Sequence, residues 1–243
     1  MTYIYGIHSV TAALTHKPGS VKRVLCATKR PDIEKLAGAS GIAVARFDAA
    51  TPPRDVPKDA PHQGVLAEVD PRKLTTHLKD LTSELTITPD TALVVLAEVQ
   101  DPHNVGAIIR SAAAFGAAGV VIPEHRQAPV TGVVVKASAG TAFSLTLVEV
   151  ANVNTTLGQL ADLGFWIYGL AGQGETVLYE EEFSKPSVFV VGNEGAGLRE
   201  KTRERCDFLL SIPMNTRAES LNASNAAAVA LSHWSRQHPG ALT

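Results

Sequence analysis

The stretch from Glu98 to Ser111 reads Glu-Val-Gln-Asp-Pro-His-Asn-Val-Gly-Ala-Ile-Ile-Arg-Ser, and Arg110 stands among Ile108, Ile109 and three alanines. An arginine in such company calls for an anionic partner such as phosphate, whose geometry its planar fork of donors matches. A side chain that snorkels to solvent or pairs with Glu98 is the competing reading. Pro102 and Asn104 suit a turn and an N-cap, so a helix is expected over Val105–Phe115. A second stretch, Gly192-Asn193-Glu194-Gly195-Ala196-Gly197-Leu198, leaves the apolar run Val188–Val191. Its glycines would let backbone approach a ligand closely, and an expected helix over Leu198–Cys206 would offer its N-terminus to an anion. Glu194, between two glycines, adds a carboxylate that could accept hydrogen bonds. The third stretch follows Ile212-Pro213-Met214 and sets Ser220, Asn222, Ser224 and Asn225 around the start of an alanine-rich helix expected over Asn222–Gln237. That is more hydrogen-bonding capacity than capping requires.

The elements that must position these residues follow from hydrophobic periodicity. Apolar runs at Ala92–Ala97, Gly119–Ile122, Leu145–Val148, Phe165–Gly169, Val188–Val191 and Leu209–Ile212 alternate with helical stretches, the pattern of a parallel sheet covered on both faces. In such sheets ligands bind beyond the carboxyl ends of the strands, where the three stretches lie. Before residue 70 a smaller α/β pattern is expected, with strands at Tyr3–Gly6, Val21–Ala27, Ile42–Phe47 and Val65–Val69, helices at His8–Thr15 and after Pro31, and a proline-rich loop from Thr51 to Pro61. Residues 70–89, polar and helix-compatible around Leu74–Leu85, read as a linker. The expected organisation is thus 1–69, a linker over 70–89, and 90–243.

Composition limits what these stretches can do. The chain has 243 residues, 45% hydrophobic and 19% charged, with no apolar run near the ~20 residues of a membrane helix. The N-terminus lacks a secretory pattern, so a cytoplasmic location is expected. Cys26 and Cys206 stand far apart without metal-ligand spacing, and no metal site is expected. A net charge of −2 argues against coating nucleic acid by bulk electrostatics. Charge is unevenly spread: residues 1–90 hold 12 basic and 10 acidic residues, leaving 10 and 14 for the rest. Lys17, Lys22, Arg23, Lys29 and Arg30, with His8 and His16 just before them, fall in one short region and form a candidate basic face, against the plainer reading of a solvated surface. A dehydrogenase is disfavoured, because the glycines are spaced G-x-x-G-x-G rather than G-x-G-x-x-G.

Asn104-Val105-Gly106 with Arg110, Gly192-Asn193-Glu194-Gly195 with Gly197-Leu198, and Ile212-Pro213-Met214 with Ser220-Leu221-Asn222 resemble, in order and spacing, the three motifs of the SpoU (TrmH-like) RNA ribose 2′-O-methyltransferases of the SPOUT superfamily. The resemblance covers roughly residues 90–240. Tyr5-Gly6-Ile7-His8-Ser9-Val10 and His62-Gln63-Gly64-Val65 further resemble the ribosomal-protein-like RNA-binding domain of the subgroup that methylates a guanosine of 23S ribosomal RNA. The resemblance implies an α/β fold whose C-terminal SPOUT domain holds a parallel sheet and a trefoil knot, beside a small N-terminal α/β RNA-binding domain. It implies S-adenosylmethionine as methyl donor, held by Val191, Gly192, Asn193, Ile212, Met214 and Leu221. It also implies a catalytic set of Asn104, Arg110, Glu194, Ser220 and Asn222, ribosomal RNA as partner with His8, Lys22, Arg23, Lys29 and Arg30 as the residues that bind it, and a homodimer in which Arg110 of one subunit approaches the donor site of the other. Between Met214 and Ser220 the chain departs from the smaller, glycine-containing segments of many relatives, placing Arg217 and Glu219 there. The same reaction on transfer RNA, or a non-catalytic RNA-binding assembly factor, are the alternatives.

Overall fold

The computed structural model describes residues 1–242. The first unit contains β1 (Thr2–Tyr5), α1 (Ile7–His16), β2 (Val21–Cys26), α2 (Pro31–Ala39), β3 (Ala43–Arg46) and β4 (Val65–Val69). Its sheet runs β1-β4-β2-β3, with β4 antiparallel to β1 and β2 and with β3 parallel to β2. Strand alternation explains the packing. Ile4, Val24, Cys26, Val65, Ala67 and Val69 join Val10, Leu14, Ile33 and Ala37 of the two helices in one core. Tyr5, Leu25 and Leu66 face the other way and are covered by Val56 of the proline-rich loop, which therefore closes a second small core.

The expected linker is structured. It holds β5 (Thr75–Thr76), which pairs in parallel with β8 (Thr146–Val150), and α3 (Leu78–Glu84). Leu74 and Leu81 are buried, and burying such side chains is what draws this polar stretch onto the sheet. The remaining elements are β6 (Ala92–Leu96), α4 (Pro102–Ala114), β7 (Gly119–Pro123), α5 (Gly132–Ala137), α6 (Val153–Asp162), β9 (Trp166–Leu170), β10 (Thr176–Val177), β11 (Ser187–Val191), α7 (Glu200–Arg203), β12 (Phe208–Ser211) and α8 (Ala223–Gln237). All eight strands of this sheet are parallel, in the order β10-β12-β9-β11-β6-β7-β8-β5. Val94 and Leu96 pack with α4, α5 and α8, whereas Leu93 and Val95 pack with α3 and α6 on the opposite face. Both faces are thus buried, as the continuous apolar runs require.

The two units share a seam and a core. Ile4 and Val10 belong to the same buried cluster as Val134, Phe143 and Trp234. A Cβ on Gly132 would strike the Tyr3 carbonyl oxygen, and one on Gly140 would meet Ala12 Cβ at 2.8 Å. Gly132→Ala is therefore expected to destabilise the protein by about 1–3 kcal/mol through overpacking, lowering the melting temperature measured calorimetrically. Gly158 of α6 has open space around its Cβ position. Gly158→Ala should raise that temperature, since alanine is the better helix former by roughly 0.5–1 kcal/mol.

Candidate active site

β6 and β11 are neighbours, so the loops leaving their carboxyl ends lie side by side. After β6 the helix begins earlier than expected: Asp101 is the N-cap, accepting a hydrogen bond from His103 N at 2.8 Å, and Pro102 takes the first helical position. The cap role expected of Asn104 falls to Asp101 because proline has no N–H to leave unsatisfied and suits the first turn. Asn104 then points its amide elsewhere and is only 6% exposed. Gly106 is needed for packing, since a Cβ there would lie 2.5 Å from Ala137 Cβ of α5.

After β11 the chain turns back on itself. Asn193 and Gly197 exchange two backbone hydrogen bonds of 3.0 Å, and Asn193 Oδ1 accepts from Gly195 N and Ala196 N. A Cβ on Gly192 would lie 2.5 Å from the Gly197 carbonyl carbon. This loop's own crossing, rather than a ligand, thus already demands glycine at 192. The helix expected over Leu198–Cys206 is only the single turn Glu200–Arg203, capped by Arg199, so it offers no extended N-terminus to an anion. After β12, Asn222 caps α8, with Oδ1 accepting from Ser224 N at 2.8 Å.

These loops meet in one chain of hydrogen bonds. Asn222 Nδ2 donates to Asn104 Oδ1 at 2.9 Å, and Asn104 Nδ2 donates to Glu194 Oε1 at 3.0 Å. The Glu194 carboxylate also accepts from Gln100 N at 3.4 Å and Asp101 N at 3.3 Å. Desolvation pushes the Glu194 pKa up, but the bonds from Asn104 and from backbone N–H groups outweigh it and hold the carboxyl below its ordinary value. Glu98 braces this arrangement from the side. Its backbone takes a left-handed φ of 68°, its carbonyl accepts from Asn193 Nδ2 at 3.0 Å, and its carboxylate pairs with Arg199 at 2.7 Å and Arg126 at 3.8 Å. Glu98 does not pair with Arg110, the competing reading of that arginine.

Beside the hydrogen-bond chain opens a cleft of about 470 Å³, within the usual range for small-molecule sites. Val191, Gly192, Asn193, Ile212, Met214 and Leu221 all line it, with Glu194 and Ser220. So do Leu170 to Gln173, the exit of β9, which the sequence reading passed over although the apolar run Phe165–Gly169 ends there. Leu210, Ile212, Met214, Leu221 and Ala226 offer an apolar wall for a purine, while the doubled-back backbone from Gly192 to Leu198 offers polar edges and Glu194 and Glu219 add negative charge, which suits a cationic donor. Residues of these types fit S-adenosylmethionine. Arg110 does not line this cleft; it is exposed on the outer side of α4, without a hydrogen bond or ion pair among the described residues.

The five candidate RNA-binding residues are divided. A register shift between Val21 and Arg23 turns both Lys22 and Arg23 outward, where they pair with Glu68 at 3.5 and 2.6 Å. Burial raises the Glu68 pKa, but the bond and charge of Arg23, with Lys22, more than offset it and hold that carboxyl down. His8, Lys29 and Arg30 lie beyond the carboxyl ends of β1 and β2. There Arg30 is held by Asp32 at 2.7 Å, and His8 and Lys29 are exposed without a polar partner among the described residues.

Removing the central link tests the hydrogen-bond chain. Asn104→Ala should cost about 1.5–3 kcal/mol in denaturant titrations, because it removes a hydrogen bond to the ionised Glu194 carboxylate. It should also raise the titration midpoint of the Glu194 carboxyl carbon followed by NMR. Because the folded Glu194 pKa is depressed, its stabilisation is complete above the ordinary carboxylate range and is lost as pH falls through the folded value. The variant should therefore lose less stability than the parent on acidification.

The chain matches the SpoU rRNA Methylase family over residues 91–232 and the RNA 2′-O ribose methyltransferase substrate binding family over residues 3–75. It is 40% identical over 238 residues to the 23S rRNA (guanosine-2′-O-)-methyltransferase RlmB of Pseudomonas putida, with 96% of each chain covered. It is 37% identical over 240 residues to the protein of the same name from Neisseria meningitidis serogroup B, covering 96% of this chain and 94% of that one. Among solved structures, the SpoU methyltransferase AviRb from Streptomyces viridochromogenes superposes with a TM-score of 0.81 at 26% identity, covering 98% of this chain and 90% of that one. The same enzyme in complex with the cofactor AdoMet gives 0.80. With its three motif loops joined beyond the carboxyl ends of one parallel sheet and both units matched, this chain belongs to the SpoU rRNA methylase family.

Proposed function

We propose that this chain transfers a methyl group from S-adenosylmethionine to the ribose 2′-oxygen of a guanosine in 23S ribosomal RNA. The observation that carries the reading is the Asn222–Asn104–Glu194 hydrogen-bond chain standing against a cleft suited to the donor. The relatives from Pseudomonas putida and Neisseria meningitidis, which align over nearly their whole length, support 23S RNA and guanosine over transfer RNA. Bound donor supplies an electrophilic methyl carbon. The protein must align the 2′-oxygen with it and ease removal of the hydroxyl proton.

Glu194 accepts from Asn104 and from backbone N–H groups, which occupy most of a carboxylate's acceptor capacity and hold its pKa down. It therefore orients the loops and is a poor general base. Asn104 and Asn222 hold motif one and motif three against it, and Ser220, at the cleft wall, offers a hydroxyl to donor or nucleotide. Arg110, always protonated, clamps a phosphate beside the target ribose and stabilises charge developing on the 2′-oxygen. Because Arg110 stands outside its own cleft, this reading includes a homodimer in which it completes the partner's site. The exposed, small-residue side of α8 supports such pairing. The reading also takes residues 1–69 as the RNA-holding unit, 70–89 as the connection and 90–243 as the methyltransferase unit with the family's trefoil knot, working in the cytoplasm.

The decisive assay incubates the full chain with tritiated donor and unmodified 23S and transfer RNAs, then maps the labelled ribose. Label on one guanosine of 23S RNA is expected, and label confined to transfer RNA overturns the assignment. Arg110→Ala should lower turnover by roughly 100- to 1,000-fold while leaving donor affinity within a few-fold, and Arg110→Lys should not restore it. Gly192→Val disrupts its own loop but keeps Arg110. Mixed with Arg110→Ala subunits it should therefore regenerate activity in verified heterodimers, and no rescue there counts against the shared site.

A further inference from the structure

We propose that Lys136 of α5, at the seam between the two units, is a seat for a phosphate of the RNA backbone, shared between the methyltransferase unit and the N-terminal unit. The proposal rests on the RNA-directed reading above. Lys136 is partly buried, yet it has no ion pair or hydrogen bond among the described residues. The amine is not closed off from water, so its charge stands available to an anion. Its Nζ crosses the seam and lies over Gly6, 2.6 Å from where a Cβ would stand. Glycine at position 6, with a φ of 90°, thus leaves room for the amine.

The surroundings are built and strained. Gln63 adopts a left-handed φ of 54°, a conformation that a non-glycine residue holds only when its neighbours enforce it. Its Oε1 accepts from Ile7 N at 3.1 Å, and Gly6 N donates to Val65 O at 3.0 Å, so the His62-Gln63-Gly64 turn is clasped to the start of α1. Two exposed cationic or titratable side chains without polar partners, His8 and Lys29, stand on the same edge of the first sheet. On the opposite half of that sheet, Lys22 and Arg23 are already engaged by Glu68. Unpaired positive charge is thus available at the seam end of the first sheet, which an RNA gripped by the first unit and reacting in the cleft of the second would cross.

A phosphate contact is read as salt dependence, since each one releases counterions and adds about 0.7–0.9 to the slope of log K against log salt. Binding of unmodified 23S RNA transcripts to the full chain should weaken severalfold in Lys136→Gln, with the slope reduced by about one contact's worth, and Lys136→Arg should keep the slope. Donor affinity by calorimetry and the melting temperature should stay unchanged. Lys185→Gln, whose amine lies over Trp166 at the amino ends of the strands, is the charge-matched control and should not alter the slope. An unchanged slope in Lys136→Gln, or an equal loss in Lys185→Gln, overturns the proposal. Saturation of the site by millimolar inorganic phosphate without competition against RNA overturns it as well, by making the ligand a free anion. Absence of any RNA binding by the parent chain would instead sink the RNA-directed function itself, a separate failure.

Discussion

The carboxylate of Glu194 is the group on which the site depends. It stands at the crest of a loop and gathers the side-chain amide of Asn104 and the backbone N–H groups of Gln100 and Asp101, while Asn104 in turn receives Asn222. Hydrogen bonds to an ionised group are about twice as strong as neutral ones. One negative charge therefore binds three loops that are far apart in the chain. The order β12-β9-β11-β6 gives this its shape. The loop leaving β12 must pass across the exit of β9 to bring Asn222 to Asn104, and the space enclosed between them is the cleft.

Glycine serves the backbone in this site. Gly192 is required where the loop crosses itself at Gly197, and Gly106 where α4 meets α5. The doubled-back loop is in turn fixed by Asn193, whose side chain binds two N–H groups ahead of it and the Glu98 carbonyl behind it. Glu98 accepts a strained left-handed backbone, and its ion pairs with Arg199 and Arg126 tie the exits of β11 and β7 to that of β6. Rigid scaffolding around a few reacting groups is what precise alignment of a nucleophile demands.

The unit boundary is a packed surface. A single apolar cluster runs from Ile4 to Trp234, and Gly132 and Gly140 allow β1 and α1 to approach the second unit at contact distance. An RNA bound by the first unit, as proposed above, would thereby be held at a set position relative to the cleft of the second. Flexible tethering would surrender part of that advantage to conformational entropy.

Periodicity and local chemistry determined much of this protein without tertiary information. The parallel sheet was legible because strands buried on both faces must be apolar throughout, and the motif loops because glycines and hydrogen-bonding side chains gather directly after three of those runs. The residues Val191, Gly192, Asn193, Ile212, Met214 and Leu221 were legible as one set through the family resemblance, and the fold brings them to one cleft. Tertiary structure alone decided the rest. Whether Asn104 caps a helix or links two loops depends on Asp101 and on where Glu194 arrives, 90 residues later. Whether residues 70–89 hang free or join the sheet depends on β8 offering an edge to Thr75 and Thr76. The charges of Lys22 and Arg23 count for little until strand pairing sets Glu68 beside them, and Arg110 is seen to miss its own cleft only once α4 is packed. Local sequence sets which groups are available; long-range pairing sets which of them meet, because contacts between distant segments are fixed by the packing of the whole core.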